Sequence, residues 1–178
     1  MRNAARFLIL LGAGTIMLAG CGRQQAPPTR PAPPTIPRVE GRALSPADYV
    51  ATASSIDQLV IQASQLAQTR AARGSVRELA ARLLADHHGV GAQLSFAGRR
   101  LNLLPAARMM PRHQAMLAEI SGAADFDAAY RRVMIAVHEQ GLRVHGDFAR
   151  AGDSPTLRPV AQFAFPAMRR HLDELKQL

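Results

Sequence analysis

The chain has 178 residues, a formal charge of +9, 48% hydrophobic residues, 4% aromatic residues and a single cysteine. That length supports one domain with a sizeable core, and one cysteine excludes an intrachain disulfide. The arginines are scattered, with no base-reading motif and no interleaved aromatics, so nucleic acid is not an expected partner. More than half of the net charge falls on residues 1–45, where Arg2, Arg6, Arg23, Arg30, Arg38 and Arg42 face only Glu40, leaving residues 46–178 mildly basic.

Residues 1–20 begin with Arg2 and Arg6 and continue as the apolar run FLILLGAGTIMLAG, the length of a signal-peptide core with no stop-transfer charges after it. The run ends Leu18-Ala19-Gly20-Cys21, which resembles the bacterial lipobox. That resemblance implies cleavage before Cys21, acylation of its thiol and amine, and a stable membrane anchor, since several acyl chains exceed the one-chain threshold. The other way to read the run is an uncleaved membrane helix with an incidental cysteine. Gly22 rather than an aspartate follows Cys21. By the same resemblance this points to the periplasmic face of the outer membrane in a bacterial envelope. Residues 21–45 carry Pro27, Pro28, Pro31, Pro33, Pro34 and Pro37 and little to bury, so they read as an extended tether.

Residues 46–178 read as four long amphipathic helices and one short one. Ser45-Pro46-Ala47-Asp48 supplies an N-cap, a proline at the first helical position and an acid in the first turn. The helix it opens has the stripe Tyr49, Ala53, Ile56, Val60, Ala63 and Ala67, runs to about Ala72 and is ended by Gly74. Ser75-Val76-Arg77-Glu78 is a capping box for the second long helix, which runs to about Arg100 with Gly89 and Gly91 as weak points. Its stripe is Val76, Ala80, Leu83, Val90 and Leu94, with His87 where a leucine is expected. Leu101 to Pro111 is a connection, followed by a short helix over Arg112–Ile120. The third long helix spans about Asp125–Arg150, with Phe126, Tyr130, Met134, Val137, His138, Gly141, His145 and Phe148 along it. The fourth starts at Ser154-Pro155 and carries Leu157, Ala161, Ala164, Met168, His171, Leu175 and Leu178. Pro166 cannot donate to the Gln162 carbonyl, so a kink is expected there. No segment alternates like a strand. The pattern predicts an all-α, up-and-down four-helix bundle with a short extra helix in the connection between the second and third long helices.

Several residues together carry a family resemblance: Tyr49-Val50 with Ala53, Ser64-Gln65-Leu66-Ala67, Asp86-His87, Leu104-Pro105, Ser121-Gly122 with Phe126-Asp127 and Tyr130, His138, Pro166 and His171-Leu172. Their order over residues 46–178 resembles the bacterial family called domain of unknown function 4142, grouped with ferritin-like bundles and often found in the envelope. The resemblance implies a ferritin-like bundle and no established activity. The family usually carries a glutamate in the first helix, where this chain has Val60.

His87, His138 and His171 fall on the inward faces of three different helices. His145 lies on the same side of its helix as His138, whereas His88 is turned about 100° from His87 and points outward. His113 is uninformative. Converging imidazoles suit zinc, iron, copper or nickel. The candidate metal ligands are therefore His87, His138, His171, Asp86 and His145, with zinc or iron as the ion. A carboxylate-bridged di-iron site needs Glu-x-x-His motifs, and the residues three before the histidines are Leu84, Ile135 and Met168. The alternative is a set of core histidines that satisfy one another, Tyr130 or water. Cys21 is committed to lipid, and Ser54 and Ser55 have no recognisable base, so no catalytic residue is expected. The sequence thus predicts a membrane-anchored envelope lipoprotein with a non-catalytic binding or structural bundle. The alternative is a metal-binding bundle with a mononuclear histidine site for ion sequestration or redox chemistry.

Overall fold

The computed structural model describes residues 44–178. Cys21, the segment before it and the proline-rich tether lie outside the described residues. The described chain forms five helices and no strand: α1 (Pro46–Arg70), α2 (Gly74–Arg99), α3 (Pro111–Gly122), α4 (Phe126–Ala151) and α5 (Arg158–Gln177). None of these is long and apolar enough to cross a membrane.

Four of them, α1, α2, α4 and α5, make a bundle in which α1 packs on α2 and α4, and α5 packs on α4 and α2. Tyr49 at the start of α1 meets His145 near the end of α4, and Ser64 late in α1 meets Tyr130 early in α4, so these two helices are antiparallel. The α2–α5 contacts Arg82–Glu174 and Asp86–His171 run antiparallel as well. α3 lies along α1, from Ser55–His113 at its start to the Arg70 guanidinium on the Ser121 carbonyl at its end. It carries the chain the length of the bundle, so α2 and α4 run parallel across the diagonal. One such crossover is the ferritin-like variant of the bundle.

The stripes read from sequence are the buried faces: every apolar residue named for the first three long helices is buried, and in α5 only Leu178 reaches the surface. Helix ends differ more. α1 stops at Arg70, and α2 already starts at Gly74, with Arg73 as N-cap and no side-chain cap, so Ser75 lies inside the first turn. The capping is done from elsewhere. The Asp127 carboxylate accepts the backbone N–H groups of Ala72 (3.1 Å) and Arg73 (2.9 Å), satisfying donors that the tight α1–α2 turn leaves over. α5 begins at Arg158, because Ser154 caps a separate turn through Leu157 N–H. Pro166 sits on the exposed face of α5, and the helix continues through it.

The core is not continuous. Ile56, Leu59, Val60, Leu83, Met134, Val137, Met168 and Leu175 belong to one apolar cluster. Tyr49, Val50, Ala53, Leu94, Phe148, Leu157 and Ala161 belong to another, nearer the start of α1. His87 lies between them along α2 and His138 and His145 along α4, while Asp57 and His171 sit among the residues of the first cluster in α1 and α5; all five are buried.

Candidate metal centre

Three imidazoles meet in this polar layer. The ring centroids of His87, His138 and His171 are 5.5 Å apart in every pairing. One nitrogen from each ring lies within 4.8 Å of the others, and all three side chains are buried. Each ring is fixed from its outer side. His87 Nδ1 donates to Asp57 Oδ1 at 2.8 Å, His138 Nδ1 to the Met134 carbonyl at 2.7 Å, and His171 Nε2 to Asp86 Oδ2 at 2.8 Å. Carboxylates and carbonyls only accept. In the neutral rings the outer nitrogen therefore holds the proton, and the inner one is left as a lone pair. Those inner nitrogens, His87 Nε2, His138 Nε2 and His171 Nδ1, are buried and have no hydrogen-bond partner.

The rings of α4 and α5 stay neutral because burial opposes their charging. His138 is held well below the ordinary histidine value by desolvation and by the other two rings. His171 is held down at about 4, desolvation outweighing the Asp86 carboxylate that favours its charged form. Three lone pairs facing one another at close range repel. An unpaired buried polar atom costs about 1–3 kcal/mol, so three cost a large part of a domain's usual 5–15 kcal/mol of stability. A cation at the centre turns that cost into three bonds.

His113 shows what a satisfied core histidine looks like in the same protein. It is fully buried, yet Nδ1 bonds the Ser55 hydroxyl at 2.6 Å and Nε2 bonds Gln140 Oε1 at 3.2 Å. Ser55 Oγ also accepts the Met110 N–H, which pins the start of α3 to α1.

His87, His138 and His171 come together as the sequence suggested, and His88 is exposed. The other two candidates stand elsewhere. His145 is two turns beyond His138, about 10 Å along the axis, too far to share the ion. Its Nδ1 shares a hydrogen bond with the Tyr49 hydroxyl at 3.0 Å, and burial holds it down at about 3. Asp86 grips the outer nitrogen of His171 and the Arg170 guanidinium, and so orients a ligand from behind. Asp57 was missed. Val60 is apolar and buried as expected, but α1 does supply a carboxylate, one turn earlier. The signal was an acid flanked by Ile56 and the Ala53–Val60 stripe in a helix with scarcely a polar face. Glu139 and Glu174 lie outside, near Lys176 and Arg82.

Met134 and Met168, both buried, lie to either side of the imidazole layer. Met134 is one turn before His138. Met168 Sδ packs against α4 one turn after it, where a Cβ on Gly141 would come within 2.9 Å of the sulfur. The donor set therefore fits a single transition-metal ion: three buried, unpartnered ring nitrogens turned toward one another, with the Met168 sulfur one turn along α4.

Solved structures share this architecture. The Cu(II)-bound form of CopM matches with a TM-score of 0.66 at 16% identity, over 76% of this chain and 95% of that one. A DUF305 fragment from Deinococcus radiodurans matches at 0.65 and 16%, over 77% and 97%. The Ag-bound form of CopM obtained by co-crystallization matches at 0.62 and 15%, over 75% and 94%. At such identities the likeness establishes a shared helical-bundle fold. No curated protein matches the chain. The family described as Domain of unknown function (DUF4142) matches residues 32–178, which include every helix and all three histidines of the cluster, and the chain belongs to that family.

Proposed function

We propose that the bundle is a non-catalytic metal-binding module that holds one soft, low-charge ion, Cu(I), between His87, His138 and His171. The observation that carries this is the set of three buried ring nitrogens without a hydrogen-bond partner, each ring turned so by an acceptor that engages its other nitrogen. The charge of the ion follows from burial. Desolvation scales with the square of the charge, so a divalent ion costs about four times as much to bury as a monovalent one. No anionic group stands among the three donors to offset that. Asp57 and Asp86 act from behind, strengthening their imidazoles as ligands. The polarizable Met168 sulfur, packed at Gly141 one turn of α4 from His138, favours copper over zinc or iron. CopM, the same kind of bundle, is solved in Cu(I)-, Ag- and Cu(II)-bound forms; these support copper as the element, while the charge follows from burial alone. Purely structural histidines are the weaker reading, because the three clustered rings turn their unpartnered nitrogens toward one another, whereas His113 is paired at both nitrogens and the unpartnered Nε2 of His145 stands apart.

Anaerobic titration with Cu(I) against a chromophoric chelator tests it. One equivalent is expected to bind, and His87→Ala, His138→Ala and His171→Ala are each expected to weaken binding at least about 100-fold. Metal at a hundred times its dissociation constant adds about 2.7 kcal/mol of stability, read as a rise in Tm that these variants lose. A native chain that binds none of Cu(I), Ag(I), Zn(II) and Fe(II) ends the reading.

The domain's place is proposed from Leu18-Ala19-Gly20-Cys21: an acylated Cys21 holds it to the envelope membrane, at the periplasmic face of the outer membrane, on a proline-rich tether. Cys21→Ser is expected to abolish palmitate labelling in cells and to release the protein from the membrane fraction. Labelling that persists refutes the anchor.

A further inference from the structure

We propose that the cleft between α1 and α2 is a cation-acquisition site, in which Asp57 Oδ2 at the floor and His88 at the rim take up the ion and pass it beside the His87 ring to the three imidazoles. This rests on the reading of the triad as a metal site.

The cleft is an open cavity of about 280 Å³ whose lining includes Asp57, Gln58, His87, His88, Gly91 and Pro105. Its lining includes both a triad ring, His87, and the carboxylate behind it, Asp57. Asp57 is buried, and only one of its oxygens is used. Oδ1 accepts from His87, while Oδ2 is buried and has no hydrogen-bond partner. A carboxylate oxygen left over at the floor of a cleft is a donor suited to a cation and costly to keep otherwise. His88 has no partner role in the core and is exposed, so an imidazole stands at the mouth.

Gly91 puts no side chain between the cleft and its buried floor. A Cβ there would meet a single neighbour, Asp57 Oδ2, at 3.6 Å. Glycine in mid-helix is a weak helix former, and no packing contact requires it here; its missing side chain leaves the cover over the buried carboxylate thin. The far wall is the α2–α3 connection. The Gln58 side-chain amide donates to the Ala106 carbonyl at 2.7 Å and so holds Pro105 beside the opening. The other carboxylate that touches the triad, Asp86, is a poorer approach for a cation, because Arg170 occupies the same Oδ2 at 2.8 Å.

A route, unlike a ligand, changes association and dissociation equally and leaves affinity alone. The test is stopped-flow loading of the full chain with Cu(I), with dissociation into excess chelator measured in parallel. Gly91→Leu is expected to slow both rates about tenfold, with the dissociation constant unchanged within about twofold. Gly91→Ala, which adds only an ordinary contact and a better helix former, is expected to slow them less and to confirm that the fold tolerates the position. His88→Ala is expected to slow loading severalfold. Native rates in all three variants, with one equivalent of Cu(I) still bound, overturn the route and leave the triad standing. Loading that responds to Arg170→Gln instead moves the route to Asp86 and overturns it too. A native chain that binds no Cu(I) at equilibrium overturns both readings.

Discussion

His138 is the clearest case of a side chain kept against stability. Its Nδ1 proton goes to a carbonyl that the helix already uses, and its Nε2 has nothing. Leucine has a comparable volume and no orphan atom. His138→Leu is therefore expected to raise the Tm of the metal-free protein by a few degrees, from about 1–3 kcal/mol regained, while abolishing Cu(I) binding. A fall in Tm on thermal melting counts against this view of the ring. At this scale the sequence was legible wherever a polar residue interrupted an apolar stripe, as His87 does between Leu83 and Val90. Asp57 was legible only as an acid set among apolar residues and was missed, because the first half of α1 is buried on nearly every side and no polar face there marks which acids point inward. His113 was opaque for a different reason: its partners Ser55 and Gln140 come from two other helices, and no spacing within the short helix announces them.

Elements were read well along their lengths and poorly at their ends. Stripes arise from the helical period, which a sequence carries by itself. Ends are decided by whichever group reaches the leftover N–H donors, and at the α1–α2 turn that group is Asp127, more than fifty residues away in α4. The local Ser75–Glu78 box lost to this tertiary cap. Asp127 also meets Arg73 at 3.4 Å and is itself buried. Asp127→Ala leaves two backbone donors without their acceptor and is expected to cost about 2–3 kcal/mol, seen as a lower urea midpoint with an unchanged m-value. Asp127→Asn is expected to recover part of that, since one oxygen remains to accept. The Phe-Asp-x-x-Tyr motif is in this way structural: its tyrosine, Tyr130, shares a hydrogen bond with Ser64 at 3.1 Å on the same α1–α4 seam.

For the whole molecule, the buried histidines set the response to acid. His145 and His171 keep native-state values of about 3 and about 4 because burial disfavours their charged forms. The unfolded chain protonates them near their ordinary value of about 6.5, so between about pH 6.5 and 4 it binds more protons than the folded state. Stability is complete above that window and is lost as pH falls through it, on the order of 3–5 kcal/mol for each ring. Chemical denaturation of the metal-free protein across pH 4–7 is expected to show this decline, and His145→Asn is expected to remove about one proton from the uptake. The fold class followed from helical periodicity and the missing strand pattern. The parallel α2–α4 diagonal did not, because it depends on which way a connection of irregular chain and one short helix travels.

Asp57 from α1, His87 from α2, His138 from α4 and His171 from α5 meet at one level of the bundle. A single ion there would rivet segments more than a hundred residues apart. On the proposed reading, copper supply would then set how long the chain survives proteolysis: a starved molecule would open more often, a charged one would persist, and its abundance would record the metal available.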